Sequence, residues 1–198
     1  MRYLSIDIEA TGLKENCQII ELSFVPFDTS TRIIEEKNIF HTFVQCPPFE
    51  ELEKTLDSWV INNMKPVLIK ANQEGITHEQ LRTNVHQYLT SEFIKNYFGT
   101  EKIVLFGKSL SALDLPFLKR DLGWDYYSKM FHHRTLDLSC FTYGLGDSGL
   151  IPTELVSGEK LMKFFNLGLV AHTAYEDARN TILLYFHLMD LLNSKLPK

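Results

Sequence analysis

Asp7 and Glu9 stand one residue apart in the stretch SIDIEATGL, which covers residues 5–13. Ile6 and Ile8 alternate with the acids, and their β-branched side chains favour a β-strand. Side chains two residues apart point to the same face of a strand, so the two carboxylates project together. Like charges held together are costly unless a positive group neutralises them, and hard divalent cations prefer carboxylate oxygens. The pair is a candidate half of a metal site, although by itself it also fits a strand with one face in water.

Two later segments supply further polar residues. Asp114 lies in GKSLSALDLPFLKRDL, after a strand-like run and near the start of a predicted helix. His172 and Asp177 stand five residues apart in AHTAYEDARNT, where the last predicted helix begins. Each segment also has an ordinary explanation, because acids stabilise the first turn of a helix and polar residues cap it. Their order along the chain, together with Asp7 and Glu9, is the specific signal.

Strands and helices must bring these residues together. Three segments have the β-branched and aromatic content of strands: RYLSIDIEA, QIIELSFVPFD and RIIEEKNIFHTFVQ, with a hairpin turn at residues 28–31 between the last two. Helical spacing of apolar residues covers four stretches: residues 49–63, 77–97, 111–122 and 174–192. Thr77 and Gln80 form a capping box, and Ser157 is predicted to cap another helix. Because strand-like runs at residues 102–106 and 135–138 alternate with helices, we expect an α/β domain with a mixed sheet.

The composition is that of an ordinary globular protein. The chain has 198 residues, of which 44% are hydrophobic and 23% charged, enough for a well-buried core. We see no internal repeat or linker and expect one domain over residues 1–198. The longest apolar stretch is interrupted by His187 and Asp190, so we expect no membrane span. Three widely spaced cysteines argue against a disulfide framework or a zinc site and favour a reducing, cytoplasmic location.

The formal net charge of −5 limits how nucleic acid could be bound. A protein that holds long nucleic acid through phosphate contacts alone is usually basic. A nucleic-acid substrate would therefore be held over a short segment, or metal ions would supply the positive charge.

The motifs, in their order, resemble those of the DEDDh 3′-to-5′ exonucleases. This DnaQ-like family includes proofreading subunits of DNA polymerases, ribonuclease T and oligoribonuclease. SIDIEATGL with QIIELSFVPFD matches the first motif, LDLPFL the second and AHTAYEDAR the third, and the similarity covers nearly the whole chain. HRTLDL, residues 133–138, resembles a segment of oligoribonucleases and proofreading subunits. All five family positions are filled, by Asp7, Glu9, Asp114, His172 and Asp177. The resemblance implies a ribonuclease H-like fold, with a mixed central β-sheet flanked by α-helices.

The same resemblance implies hydrolysis of phosphodiester bonds with two divalent ions, Mg²⁺ or Mn²⁺. Asp7, Glu9, Asp114 and Asp177 would hold the ions. His172 would be the general base that takes a proton from the attacking water, because an unperturbed imidazole titrates near neutral pH. The implied products are nucleoside monophosphates.

The turn after the first strand would select 3′ ends. Gly12 permits a tight turn and a close approach of the backbone to a ligand. By resemblance, Glu9 and the backbone of Ala10 and Thr11 would bind the terminal 3′-hydroxyl, and Leu13 would pack against the terminal base. Leu13 could equally be a loop residue that packs on the core. The implied partners are the 3′ ends of single-stranded DNA or RNA.

Two departures from the family and several alternatives stay open. Ser109, with Lys108 beside it, stands where the second motif usually carries an asparagine. His133 stands where oligoribonucleases have a tyrosine, which argues against a strict dinucleotide specialist and favours DNA or mixed specificity. The alternatives are a catalytically silent binding module of a nucleic-acid-processing complex and a small-nucleotide phosphohydrolase. A homodimer and a polymerase or other processing partner are both compatible with the chain.

Overall fold

A mixed β-sheet forms the centre of the protein. The computed structural model describes residues 1–14, 16–168 and 172–195. Within them the sheet has six strands: β1 (Arg2–Ala10), β2 (Ile19–Asp28), β3 (Ile33–Ile34), β4 (Phe40–Phe43), β5 (Leu105–Gly107) and β6 (Leu136–Asp137). The order is β3-β2-β1-β5-β6, and β4 also pairs with β2. β1 is antiparallel to β2 and parallel to β5, and β5 is parallel to β6. The carboxyl ends of β1, β5 and β6 therefore meet at one edge of the sheet.

Helices connect and flank the strands. In the described residues they are α1 (Phe49–Leu52), α2 (Ser58–Glu74), α3 (His78–Leu89), α4 (Glu92–Phe98), α5 (Asp114–Leu122), α6 (Trp124–Met130), α7 (Leu138–Asp147), α8 (Gly158–Phe164) and α9 (Ala174–Lys195). A short 3₁₀ turn covers Thr153–Leu155. None of these helices is long and apolar enough to cross a membrane. The predicted mixed sheet with flanking helices is confirmed.

The two faces of the sheet bury different cores, because successive side chains of a strand alternate between faces. Leu4 and Ile6 of β1 belong to the core that packs against α3, α4 and α5. Tyr3 of β1 belongs to the core on the other face, which includes Ile182 of α9. On that face the Ser5 hydroxyl donates to the carbonyl of Ala178 at 2.9 Å, fixing α9 across the centre of β1. A third apolar cluster packs α2 against Ile20 of β2 and Phe49 of α1.

The boundaries of several elements differ from the sequence expectation. The stretch predicted as one helix over residues 49–63 is divided, because the Asp57 side chain accepts a hydrogen bond from Val60 N and starts α2 there. Ser91 likewise caps α4 and divides the stretch 77–97. The third predicted strand is divided into β3 and β4 by a turn in which Asn38 N donates to Glu35 O. The Thr77 capping box and the Ser157 cap are confirmed.

Candidate active site

Three of the predicted acids meet at the carboxyl end of β1. Asp7 and Glu9 pair across the sheet with Ser23 and Glu21 of β2, on the face that α9 covers. Asp177 comes from the first turn of α9. One carboxylate oxygen from each of Asp7, Glu9 and Asp177 lies within 4.8 Å of the others. Residues that are far apart in the sequence thus form one compact acid cluster.

Asp114 lies beside this cluster. It is the first residue of α5 and is 3% exposed. Its Oδ1 accepts a hydrogen bond from Ile8 N at 2.9 Å, which ties the start of α5 to β1 between the two strand acids. Its charge is also among the causes that raise the pKa of Asp7. The structure therefore brings Asp114 next to Asp7, while one of its oxygens is engaged by the backbone.

Burial and mutual repulsion raise the pKa of the acids. Burial is the largest cause for Glu9, followed by the charges of Asp177 and Glu21, and its pKa rises to about 8. Burial raises the pKa of Asp7 well above its ordinary value. The charges of four neighbouring carboxylates raise it further: Asp114, Glu9, Asp177 and Glu21. Burial raises the pKa of Asp114 to about 7, although the hydrogen bond from Ile8 N opposes the rise. A cation in this cluster would relieve the repulsion.

The acid cluster suits hard divalent cations. Carboxylate oxygens are the donor set that Mg²⁺ and Mn²⁺ prefer. Glu21, next to Glu9 across the sheet, has a buried Oε2 atom without a hydrogen-bond partner among the described residues. Buried polar atoms are normally satisfied, so an unpaired carboxylate oxygen here is consistent with a site built around a cation. The residues present therefore fit the metal ions that the fold implies.

His172 stands just before α9, as predicted, with Thr173 between it and the helix. Its backbone φ is +53°, an uncommon conformation for a residue with a side chain. Its backbone N–H donates to Asp177 Oδ2 at 3.1 Å, which holds the residue next to the acid cluster. Its imidazole meets the ring of Trp59 edge-on, with 5.4 Å between the ring centroids. Ala171, just before it in the third motif, lies outside the described residues.

The loop of the second motif is held by a residue that the sequence analysis did not single out. Asp137, at the end of β6, accepts hydrogen bonds from Ser109 N at 3.0 Å and Leu110 N at 2.8 Å. It also caps α7 by accepting from Ser139 N at 2.9 Å. Ser109 has a φ of +56°, so this fixed loop is strained where the family usually carries an asparagine. The available signal was an aspartate directly before a helix, in the HRTLDL segment.

An apolar groove of about 350 Å³ opens beside Glu9. Ala10 and Leu13, two of the predicted substrate-binding residues, line it together with Trp59 at the start of α2. Leu13 is 77% exposed and Trp59 is 54% exposed, so neither is a core residue. Thr11 is used differently, because its N–H donates to Gln18 O and its hydroxyl accepts from Gln18 N. Trp59 was missed because helical spacing alone does not distinguish an exposed tryptophan from a buried one.

Lys108 and His133, which mark the departures from the family, occupy different regions. Lys108 is exposed and lines a small cavity with Asp177, next to the acid cluster. His133 precedes β6, whereas Asp7 and Glu9 lie near the end of β1. Because β1, β5 and β6 are parallel, His133 lies toward the opposite edge of the sheet from the acids of its own chain.

Comparison with solved structures identifies the fold class. No protein-family model and no curated protein sequence matches the chain. The fold is that of DEDDh 3′-exonucleases, and the resemblance predicted from the motifs is confirmed at the level of the fold.

Three solved structures illustrate the similarity. Cell-death related nuclease 4 (CRN-4) has a TM-score of 0.68 at 18% identity, covering 96% of this chain and 64% of that one. The nuclease domain of 3'hExo, a DEDDh family member bound to rAMP, has 0.63 at 16%, covering 96% and 92%. E. coli exonuclease I in complex with a dT13 oligonucleotide has 0.68 at 15%, covering 96% and 43%. This chain thus spans less than two thirds of CRN-4 and less than half of exonuclease I.

Proposed function

We propose that this protein is a divalent-metal-dependent 3′-to-5′ exonuclease acting on single-stranded DNA or RNA, with one catalytic domain over residues 1–198. The observation that carries the proposal is the cluster of Asp7, Glu9 and Asp177, whose oxygens lie within 4.8 Å of one another beside an apolar groove. The fold is shared with nucleases, which supports the same activity.

The acids provide the binding site for two ions. When bound, two divalent ions neutralise the phosphate and activate the attacking and leaving oxygens. Asp7, Glu9 and Asp177 are the principal ligands in this proposal, and Asp114 contributes from the start of α5. The rigid central strand β1 holds two of these ligands, so the site is preorganised before substrate binds.

His172 is the proposed general base. It accepts the proton of the attacking water on a ring nitrogen while the water oxygen bonds to phosphorus. The bond from phosphorus to the 3′-oxygen of the preceding nucleotide breaks, that oxygen takes a proton from solvent, and the 3′-terminal nucleotide leaves as a 5′-monophosphate. Its backbone bond to Asp177 Oδ2 keeps it near the acid cluster. Its edge-on contact with Trp59 involves an exposed side chain, so a substrate that engages Trp59 can alter the position of the imidazole.

The groove is the proposed site of the terminal nucleotide. Leu13 and Trp59 are exposed apolar side chains on its walls and can sandwich a base. Glu9 and the backbone of Ala10 then receive the free 3′-hydroxyl, which excludes the interior of a strand. The N–H of Thr11 is already bonded to Gln18 O, so only its carbonyl could take part. The rAMP bound to the nuclease domain of 3'hExo and the oligonucleotide bound to exonuclease I support ligands of this class.

An end-labelled oligonucleotide assay tests the proposal. Single-stranded DNA and RNA of the same sequence, labelled at the 5′ end, are incubated with Mg²⁺ or Mn²⁺. We expect shortening by single nucleotides from the 3′ end and release of monophosphates. A circular oligonucleotide and the Asp7→Asn variant serve as controls and should show no cleavage.

The same assay distinguishes the alternatives. Binding of the linear strand without cleavage under any metal condition would favour the silent binding module. Hydrolysis of free nucleotides beside an intact oligonucleotide would favour the small-nucleotide phosphohydrolase. Cleavage of the circular strand would contradict 3′-end selection.

A further inference from the structure

Glu21 is a buried acid that none of the sequence motifs assigns to the site. It lies on β2 directly opposite Glu9, so its side chain projects on the face of the sheet that carries Asp7 and Glu9. Its side chain is only 1% exposed. Charged side chains are almost never fully buried unless they have partners.

One oxygen of Glu21 has a partner and the other has none. His41 on β4 donates from Nε2 to Glu21 Oε1 at 2.5 Å. The imidazole also lies near two aromatic rings, since the centroid of Phe43 is 5.2 Å away and that of Tyr175 is 6.2 Å away. Glu21 Oε2 is buried without a hydrogen-bond partner among the described residues.

Glu21 lies beside the acid cluster, on the same face of the sheet. The charge of Glu21 is among the causes that raise the pKa of both Asp7 and Glu9. Ser23, the next residue on this face of β2, donates its hydroxyl to the carbonyl of Phe40 and not to Glu21. Glu21 lies outside the group of three acids whose oxygens are within 4.8 Å, so it flanks that group.

Packing alone does not explain a glutamate at this position. A glutamine has the same shape and could still accept the hydrogen bond from His41. The glutamate instead places one more negative charge beside the Asp7, Glu9 and Asp177 cluster, which is unfavourable in the absence of a cation. The negative charge therefore has a use that depends on a positive ligand.

We propose that Glu21 is a positioning acid of the metal centre: oriented by His41, it uses Oε2 to hydrogen-bond the hydration shell of a divalent cation held by Asp7 and Glu9. Mg²⁺ gives up its water reluctantly and usually keeps several water molecules, which need acceptors in a buried site. Removing a group that contacts a metal through its ligands commonly lowers the metal affinity roughly 10- to 100-fold. The inference rests on the proposed metal-dependent function.

The Glu21→Gln variant tests the proposal without altering side-chain shape. We expect its Mn²⁺ affinity, measured by titration calorimetry of metal-free protein, to fall roughly 10- to 100-fold. We also expect its metal-free melting temperature to rise, because one like charge leaves the cluster. Glu74→Gln, an exposed acid at the end of α2, is the matched control and should change neither quantity.

Unchanged Mn²⁺ affinity in Glu21→Gln would overturn the proposal. A merely structural role predicts a lower metal-free melting temperature with unchanged Mn²⁺ affinity. If Glu21→Gln does not fold, His41→Phe provides the second test, because it removes the donor that orients Glu21 and should also weaken Mn²⁺ binding. Wild-type protein that binds no Mn²⁺ would contradict the proposed function itself. Normal Mn²⁺ binding by wild type and both variants would contradict only the role of Glu21.

Discussion

At the residue scale, the proposed chemistry depends on a few side chains whose surroundings differ sharply. Asp114 is buried, with a backbone hydrogen bond to one of its oxygens, whereas Trp59 is more than half exposed on the groove wall. His172 lies between these environments, bonded through its backbone to Asp177 and touching Trp59 with its ring. Substitutions of these residues should therefore affect different steps.

The base assignment predicts a catalytic defect in His172→Ala. Removal of a general base should lower kcat by roughly 10²- to 10⁴-fold. Mn²⁺ affinity should remain close to that of the wild type, because the backbone bond to Asp177 does not require the imidazole. Single-turnover kinetics on a labelled oligonucleotide and metal titration measure the two effects. Turnover near the wild-type rate would show that another group accepts the proton.

The groove predicts a binding defect in Trp59→Ala. Stacking of a base on an aromatic ring contributes about 1–3 kcal/mol, so oligonucleotide affinity should fall roughly 5- to 150-fold. Trp124, the other tryptophan, is 62% exposed and does not line the groove, so Trp124→Ala is the matched control. Fluorescence anisotropy of a labelled oligonucleotide, with Ca²⁺ in place of Mg²⁺ or Mn²⁺, measures the affinity. Equal affinities for the two variants would argue against stacking at Trp59.

At the element scale, the ends of the strands position the candidate site, even where the strands are short. β5 and β6 are short, yet Gly107 and Asp137 at their ends begin the loops and helices that carry Asp114 and α7. Asp137 joins two of these segments by accepting hydrogen bonds from Ser109 N, Leu110 N and Ser139 N. The second-motif loop therefore depends on a side chain from another strand.

Asp137→Ala should destabilise the protein and disturb the second motif. It removes a helix cap and two hydrogen bonds from backbone N–H groups to a charged acceptor, so we expect a loss of about 2–4 kcal/mol of unfolding free energy. Urea denaturation of metal-free protein measures the loss. Asp147→Ala, at the exposed end of α7, removes the same side chain and should have little effect. Equal stability of the two variants would contradict the stabilising role of the Asp137 hydrogen bonds.

Sequence patterns reveal the elements more reliably than their interruptions. β1 and β2 were predicted closely because their apolar content and the turn between β2 and β3 are local signals. The caps by Asp57 and Ser91 were missed because apolar residues continue at helical spacing on both sides of them. The acids of the cluster were found through the motifs. The bonds of Asp137 and the contact of Trp59 with His172 depend on tertiary packing, which no local pattern encodes.

At the scale of the whole molecule, the acid cluster couples folding to protons and, in the proposed function, to metal. The folded state raises the pKa of Glu9 from 4.5 to about 8 and that of Asp114 from 3.8 to about 7. Between the unfolded and folded pKa values the folded protein binds more protons than the unfolded chain. The free energy of unfolding therefore decreases as pH rises through this range. Divalent ions that replace the protons should restore it.

Metal-free protein should lose unfolding free energy, on the order of a few kcal/mol, between pH 4.5 and pH 8. Urea denaturation at several pH values in EDTA measures the slope, and saturating Mn²⁺ should reduce it. Glu9→Gln should flatten the metal-free curve, because one of the titrating groups is removed. Asp28, whose pKa is lowered to about 2 by its Ser30 hydrogen bonds, titrates below this range and is not expected to contribute. A metal-free protein that gained stability with rising pH would contradict the electrostatic description of the site.

The bond between Ser5 and Ala178 has a consequence for the order in which the protein is built. It joins residues 173 positions apart and docks the helix that carries Asp177 onto the strand that carries Asp7 and Glu9. Contacts between such distant residues form slowly, because a long loop must close first. While the chain is being synthesised, the first strand emerges well before α9. The acid cluster can be complete only after α9 has docked, so the proposed nuclease activity should be absent until α9 has been synthesised.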